Sequence, residues 1–328
     1  MTITATETPG PVAQSHDSAV GMARHHAIIF LVLFAAAVVA PFFLYPIFLM
    51  KVLCFALFAC AFNLLLGFGG LLSFGHAAFF GGAAYVSAHA AKVWGLTPEL
   101  AILAGTLAAT VLGAAIGSLA IRRLGIYFAM VTLAFAQMVY FFSVQAAFTG
   151  GEDGIQNVPR GDLFGLISLQ SGMTLYFVVL VITFAGLLAI YRIIHSPFGQ
   201  VLKAIRENEQ RAISLGYRTN LYKLAVFVLS AGLSGLAGAT KAIVFQLASL
   251  TDVHWAMSGE VVLMTLLGGM GTVFGPIVGA AVIVTMQNYL ATFGAWVTII
   301  QGVIFVLAVL LFREGIVGVL AKWWKKPL

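Results

Sequence analysis

The sequence predicts an all-α membrane protein with roughly ten transmembrane helices. Of its 328 residues, 61% are hydrophobic and only 9% are charged, whereas a soluble domain carries about 25% charged residues. The mean hydropathy is +1.04, and the apolar runs lack the alternation of a transmembrane barrel. Because lipid offers no hydrogen bonds to the backbone, such runs are predicted to be helices.

The predicted spans are separated mostly by short connections. They are residues 27–45, 48–66, 77–93, 100–121, 126–148, 173–194, 224–247, 260–267, 276–290 and 295–312. Most approach the ~20 apolar residues that cross a bilayer, and residues 260–267 form the shortest. This pattern divides the chain into a polar N-terminal segment (1–26), a first transmembrane half (27–194), a charged segment (195–223), a second half (224–312) and a basic tail (313–328).

The distribution of basic residues predicts that both termini are cytoplasmic. In that orientation 13 of the 17 Lys and Arg residues lie inside: Arg24, Arg122, Arg123, Arg192, Lys203, Arg206, Arg211, Arg218, Lys223, Arg313, Lys322, Lys325 and Lys326. Outside lie Lys51, Lys92, Arg160 and Lys241, with Glu152, Asp153, Asp162 and Asp252. Residues 1–22 lack the pattern of a cleaved signal peptide, so none is expected.

The charged segment, residues 195–223, is the main polar interruption of the apolar sequence. Ser196 suits a helix N-cap, Pro197 the first helical position and Gly216 the helix end. Leu202, Ile205, Ala212 and Leu215 form a partial apolar stripe, which predicts a helix that lies on the membrane surface or docks a partner. The alternative is an ordinary solvated loop, and the pattern alone does not separate the two.

Two glycine-rich segments interrupt the apolar pattern, at residues 67–82 and 268–279. Non-helical backbone at membrane depth is tolerated where it is buried or lines a cavity. Gly70, Ser73, Gly75 and His76 are therefore candidates for a solute pathway. The alternatives are close packing of small residues and, for His76, a hydrogen-bonded packing role. Gly268, Gly269, Gly271, Gly275 and Pro276 form a predicted cytoplasmic turn that could contact a partner.

Catalytic and nucleotide-binding motifs are missing from the sequence. It contains no G-x-x-x-x-G-K-[ST], H-E-x-x-H or G-x-S-x-G motif and no Asp-rich metal motif. No cofactor is expected, and any ATP hydrolysis must come from another chain. Cys54 and Cys60 lie six residues apart in one apolar run, so a disulfide between them is not expected.

Motifs spread over nearly the whole chain resemble the LivM-type permeases of branched-chain amino-acid ABC importers. They are GGLLSFGHAAFFGGAAY (69–85), LGIYFAMVTLAFAQ (124–137), TGGEDGIQNVP (149–159), SPFGQVLKAIRENEQRAISLGYRTNLYKLAVFVLSAGLSGLAGA (196–239) and SGEVVLMTLLGGMGTVFGPIVGA (258–280). The resemblance implies an ABC importer permease fold with broken glycine-rich helices, in a bacterial inner membrane. It also implies three kinds of partner: a sister permease, two cytoplasmic ATPase subunits and a periplasmic binding protein. The segment received by the ATPase would contain Glu207, Asn208, Glu209, Arg211, Ala212 and Gly216.

Three functional classes differ in what they require of the membrane spans. A secondary transporter couples to ions through carboxylates inside the membrane, and the predicted spans offer no convincing one. An intramembrane enzyme needs a catalytic constellation, which is missing. An importer permease needs neither, so the sequence favours it. Its substrate is expected to be a branched-chain or related hydrophobic amino acid, with urea or a short amide as the alternative because permeases for those solutes look similar.

Overall fold

The computed structural model describes residues 26–165, 167–291, 294, 296–311 and 315–324. Two compact units divide the chain, Met1–Leu44 and Tyr45–Leu328. The described part of the first is one apolar helix, α1 (His26–Phe42), whose last turn, Ala40–Phe42, is a 3₁₀ helix. The predicted N-terminal segment, residues 1–26, lies outside the described residues except for His26.

The second unit contains the other helices and a few short strands. The helices are α2 (Pro46–Asn63), α3 (His76–Lys92), α4 (Pro98–Ala120), α5 (Ile126–Gln145), α6 (Gly172–His195), α7 (Pro197–Glu207), α8 (Glu209–Ser214), α9 (Thr219–Phe245), α10 (Leu250–Val253), α11 (Trp255–Gly268), α12 (Gly275–Leu290), α13 (Trp296–Leu311) and α14 (Gly315–Trp324). The strands are β1 (Ile155–Gln156), β2 (Asp162–Leu163), β3 (Ile167–Ser168) and β4 (Leu247–Ala248). Helix α2 continues into a π-helical turn, Leu64–Phe68.

The core of this unit is formed by α2, α3, α4 and α9. Glycine lets α3 and α4 approach closely, because a Cβ on Gly105 of α4 would lie 2.6 Å from the carbonyl oxygen of Ala83 on α3. Helix α2 runs through the middle of the unit, with Phe58 and Phe62 fully buried. The close approach at Gly105 is the small-residue helix packing typical of membrane proteins. The abundance of glycine in the apolar runs predicts it.

Five of the described helices are long and apolar enough to cross a membrane: Pro46–Phe68, Pro98–Ala120, Ile126–Gln145, Gly172–His195 and Thr219–Phe245. The apolar helices His26–Phe42, Trp255–Gly268 and Gly275–Leu290 are shorter. The chain is therefore a multi-pass, mostly helical membrane protein. The total of ten crossings and the cytoplasmic location of both termini stay predictions.

Two predicted bounds are wrong in detail. The predicted eighth span, residues 260–267, is longer, because α11 begins at Trp255. Helix α9 begins at Thr219 and so takes Lys223 from the charged segment. The fold is mostly helical, as predicted, with two short antiparallel strand pairs, β1 with β4 and β2 with β3. Part of the predicted basic tail forms α14, while residues 313, 314 and 325–328 lie outside the described part.

The β1–β4 pair marks one end of the second unit. Ile155 pairs with Ala248, which joins the loop after α5 to the chain after α9. At this end Lys92 donates to the carbonyl oxygen of Gln156 at 2.7 Å, and Arg160 donates to that of Val244 at 2.9 Å. Lys241 forms an ion pair with the buried Asp252. Basic residues predicted to lie outside are thus anchored to nearby backbone and carboxylate oxygens.

Candidate functional site

The charged segment folds as two short helices rather than the single predicted one. The Ser196 hydroxyl accepts a hydrogen bond from Gly199 N at 3.3 Å, and Pro197 is the first residue of α7, as predicted. Asn208 then leaves the helical region, at φ −154° and ψ 98°, and its side chain accepts from Arg211 N at 3.0 Å. Asparagine is among the strongest N-caps, so Asn208 ends α7 and starts α8. Sequence reasoning missed this break because the apolar stripe appears continuous across it.

Helix α8 ends at a left-handed glycine. Gly216 has φ +88°, where residues with a Cβ are strained. Tyr217 N donates to the carbonyl oxygen of Ala212 at 3.1 Å, and Gly216 N to that of Ile213 at 2.9 Å. These two bonds form a Schellman motif. The prediction that Gly216 ends the helical segment is therefore confirmed.

One face of the two helices is held against the bundle. Leu202, Ile205 and Ala212 are buried within the chain itself, whereas the sequence predicts that the apolar stripe faces the membrane surface or a partner. The Glu209 carboxylate lies 2.6 Å from the ammonium group of Lys223 on α9, with 27% and 5% of the two side chains exposed. Glu209 therefore ties α8 to the membrane helix α9 and has a structural partner within the chain.

The opposite face is exposed and mixes charged with apolar side chains. Glu207, Asn208, Arg211 and Gly216 are all exposed there. Leu215 is 71% exposed and Ile213 is 48% exposed. Leu215, the last residue of the predicted stripe, follows α8 and is exposed, unlike the other three residues of the stripe.

The first glycine-rich segment breaks the helical chain, as predicted. The π-helical turn ends α2 at Phe68, and helix resumes only at His76. We call residues 69–75 the α2 break. Gly70 is exposed and has φ +69°, which glycine adopts without strain. Gly75 is the N-cap residue of α3.

Ser73 and His76 lie in the interior at the end of this break. Both are fully buried, and the Ser73 hydroxyl accepts from Gly75 N at 3.1 Å. His76 Nε2 and the Ser230 hydroxyl are 2.9 Å apart, and Ser230 donates to the carbonyl oxygen of Ala61 at 2.6 Å. The His76 ring therefore links α3 to α9, and through Ser230 to α2.

The second glycine-rich segment forms the turn between α11 and α12. We call residues 269–274 the glycine turn; Gly268 ends α11, and Gly275 with Pro276 begins α12. Gly269 and Gly271 have φ +119° and +79°. The Thr272 hydroxyl donates to the Gly269 carbonyl oxygen at 2.7 Å and accepts from Gly275 N at 3.1 Å. The turn is therefore an ordered, hydrogen-bonded structure.

The structure brings the charged segment, the α2 break and the glycine turn together at one end of the fold. The guanidinium group of Arg206, on α7, donates to the carbonyl oxygen of Gly67 in the π-helical turn. Asn63, in the last turn of α2, donates to Thr272 O at 2.8 Å and accepts from Gly271 N at 3.0 Å. Sequence reasoning missed Arg206 and Asn63, because 139 and more than 200 residues separate the bonded partners.

The described residues contain no candidate metal centre. Among them, no group of three or more His, Cys, Asp or Glu side chains could hold a metal ion. Cys54 and Cys60 are both free and buried.

The chain is similar in sequence to permease proteins of transport systems. A sequence model of the family described as "Branched-chain amino acid transport system / permease component" matches residues 44–309. The LivM permease proteins of the high-affinity branched-chain amino acid transport systems of Escherichia coli (strain K12) and Salmonella typhimurium are each 28% identical over 276 residues, 77% of this chain and 63% of the relative. The ribose import permease protein RbsC of Bacillus subtilis (strain 168) is 28% identical over 196 residues, 55% of this chain and 58% of the relative.

The chain spans about 63% of the length of the LivM proteins that it matches. No solved structure is significantly similar to it. Because the family match covers most of the chain, including the charged segment and both glycine-rich segments, the chain belongs to the family of branched-chain amino acid transport system permease components.

Proposed function

We propose that this chain is the transmembrane permease subunit of an ATP-driven importer in a bacterial inner membrane. It works with a sister permease, two cytoplasmic ATPase subunits and a periplasmic binding protein, and it carries branched-chain or related hydrophobic amino acids. The observation that carries the proposal is the two-sided construction of the charged segment. One face is anchored in the bundle, and the other presents an exposed mixture of charged and apolar groups.

An ordinary solvated loop would not need one face anchored to the bundle by a partly buried ion pair. Lys223 is only 4% exposed and its partner Glu209 only partly exposed, so their ion pair resists solvent screening better than a surface pair does. Ile213 and Leu215 are exposed to solvent, as are the charged residues Glu207 and Arg211 of the same segment. Exposed apolar side chains rimmed by charges are typical of protein interaction sites. We assign this surface to docking of the ATPase.

The solute route is proposed to pass beside the α2 break. Its Gly70 is exposed, its Leu72 is 37% exposed, and the backbone there is not helical. Ser73, Gly75 and His76 form the inner wall of the break. A pathway shared with a sister permease requires only a modest polar strip from each subunit, which fits a chain in which only 9% of the residues are charged.

Reconstitution tests the function. The chain, a sister permease, the two ATPase subunits and a binding protein from the same operon would be placed in proteoliposomes. Uptake of leucine, isoleucine and valine is expected to require ATP and the binding protein, and to persist when the proton gradient is collapsed. Uptake of urea or acetamide instead would replace the substrate class and keep the mechanism. Gradient-driven uptake by the chain alone would contradict the importer assignment.

The position of the route can be tested separately. In a background without Cys54 and Cys60, cysteines at positions 73 and 76 are expected to react with small polar thiol reagents in some nucleotide states and not in others. A cysteine replacing the buried Ser87 is the matched control and is expected to stay protected. Protection of positions 73 and 76 in every state would assign them to helix packing.

A further inference from the structure

Arg206 is the residue that joins the charged segment to the broken membrane helix. It lies at the end of α7, and its guanidinium group donates to the Gly67 carbonyl oxygen. Its stem also covers the α2 break, because a Cβ built on Gly70 would lie 3.0 Å from its Cγ. The same side chain reaches the glycine turn, where a Cβ on Gly271 would lie 3.5 Å from its Nη1. One side chain therefore touches all three segments.

The bond from Arg206 fills a gap in the backbone hydrogen bonding of α2. The carbonyl oxygens of Leu64, Leu65 and Leu66 accept from Gly69 N, Leu71 N and Gly70 N at 3.1–3.2 Å. The next carbonyl along the chain, that of Gly67, accepts from Arg206. Carbonyl groups at a helix C-terminus carry partial negative charge and favour a cation. Arg206 thus joins α7 to the end of α2.

Asn63 extends this connection to the glycine turn. It is 2% exposed and bonds to the turn as both donor and acceptor, through Thr272 O and Gly271 N. The turn also lies directly against the π-helical turn, because a Cβ on Gly67 would lie 2.6 Å from Gly271 N. Asn63 therefore joins the end of α2 to the α11–α12 connection.

We propose that Arg206 is a positioning residue that transmits displacement of the charged segment to the α2 break and the glycine turn. This inference rests on the proposed function, in which an ATPase moves the charged segment. When α7 is drawn toward the partner, the Arg206 bond pulls the Gly67 carbonyl with it. The end of α2 and the glycine turn shift as one unit, because Asn63 joins them, and the α2 break follows directly from the end of α2.

Amide hydrogen exchange can test this transmission without measuring transport. The amides of Gly69, Gly70 and Leu71 close the end of α2, so their exchange reports its opening. In the wild-type complex, binding of the ATPase subunits is expected to change exchange in residues 197–216, 64–71 and 269–275. Arg206→Met keeps an apolar stem against Gly70 but cannot donate. It is expected to keep the change in residues 197–216 and to reduce the change in residues 64–71 about tenfold, as for loss of one charge-assisted hydrogen bond.

The exchange of residues 197–216 reports docking of the ATPase, and that of residues 64–71 reports transmission through Arg206. If the ATPase changes exchange in residues 197–216 of the wild type but not in residues 64–71, transmission through Arg206 is wrong and the docking surface stands. If residues 197–216 also do not respond, the proposed docking surface is wrong, and the inference falls with it. A normal response of residues 64–71 in the Arg206→Met complex overturns the inference alone.

A transport measurement gives an independent readout. Arg206→Met is expected to leave the basal ATPase rate within about twofold and to lower the amount of substrate moved per ATP about tenfold. Arg206→Lys keeps the positive charge but lacks the planar guanidinium group. Its amount of substrate moved per ATP is expected to lie between those of the wild type and Arg206→Met. Arg123→Gln removes an exposed cation at the same predicted membrane side and is expected to match the wild type. Should Arg206→Met not accumulate, an Arg206→Lys complex with the wild-type ratio of transport to hydrolysis overturns the inference.

Discussion

Replacement of Lys223 by Met tests whether the ion pair with Glu209 anchors α8. Met fits the space of the lysine stem but leaves the Glu209 carboxylate without its partner 2.6 Å away. Lys223 lies in the first two turns of α9, within the membrane helix rather than on the docking surface. We therefore expect the substitution to loosen α8 and to leave the membrane bundle intact.

The burial of the two side chains sets the expected magnitude. Breaking a fully buried ion pair by removing one partner costs about 3–5 kcal/mol, whereas an exposed pair contributes about 0–1 kcal/mol. The lysine side chain here is 5% exposed and the glutamate 27% exposed, so the pair lies between these limits. A value of about 2 kcal/mol corresponds to a roughly 30-fold increase in local opening of α8.

Amide exchange of Glu209–Ser214 measures that opening directly. A double-mutant cycle with Glu209→Gln isolates the pair, because the second substitution should add little once the first is present. Arg211→Gln, an exposed change on the same helix, is the control and should leave exchange within about twofold. Equal exchange in wild type and Lys223→Met, or additive effects of the two substitutions, would show that the ion pair does not hold α8.

Three further predictions concern packing, the glycine turn and the end of α8. A Cβ on Gly105 would lie 2.6 Å from Ala83 O, whereas a Cβ on Gly82 would have nothing within 4 Å. Gly105→Ala should therefore destabilise the fold by about 1–3 kcal/mol and lower the Tm in detergent. Gly82→Ala, the control, should leave the Tm unchanged. Asn63→Leu removes both bonds to the glycine turn and should speed exchange of the Gly271 amide about tenfold; unchanged exchange would mean that the turn holds itself. Gly216→Val forces a β-branched residue toward φ +88° at a cost of about 1–2 kcal/mol. It should weaken ATPase binding about tenfold while membrane insertion survives, and full affinity with coupled hydrolysis would contradict the docking assignment.

The amino-acid sequence by itself determines the features that depend on local chemistry. Uninterrupted apolar runs require helices in lipid, so the positions of most of the apolar helices are predicted within a few residues. Ser196, Pro197 and Gly216 mark ends of the charged segment because capping and left-handed backbone depend on a residue and its immediate neighbours. The glycine-rich interruption after Phe68 is likewise visible in the sequence, and the helix does break there.

The tertiary structure decides which of these local features meet. Nothing near Arg206 in the chain indicates that it binds the Gly67 carbonyl oxygen, and nothing near Glu209 indicates that it pairs with Lys223 rather than with a partner protein. Asn208 could have continued a helix, but in the structure it ends α7 and caps α8 through Arg211 N. These outcomes depend on the folded path of the chain, because hydrogen bonds and ion pairs extend only a few ångströms while the partners lie up to 209 residues apart.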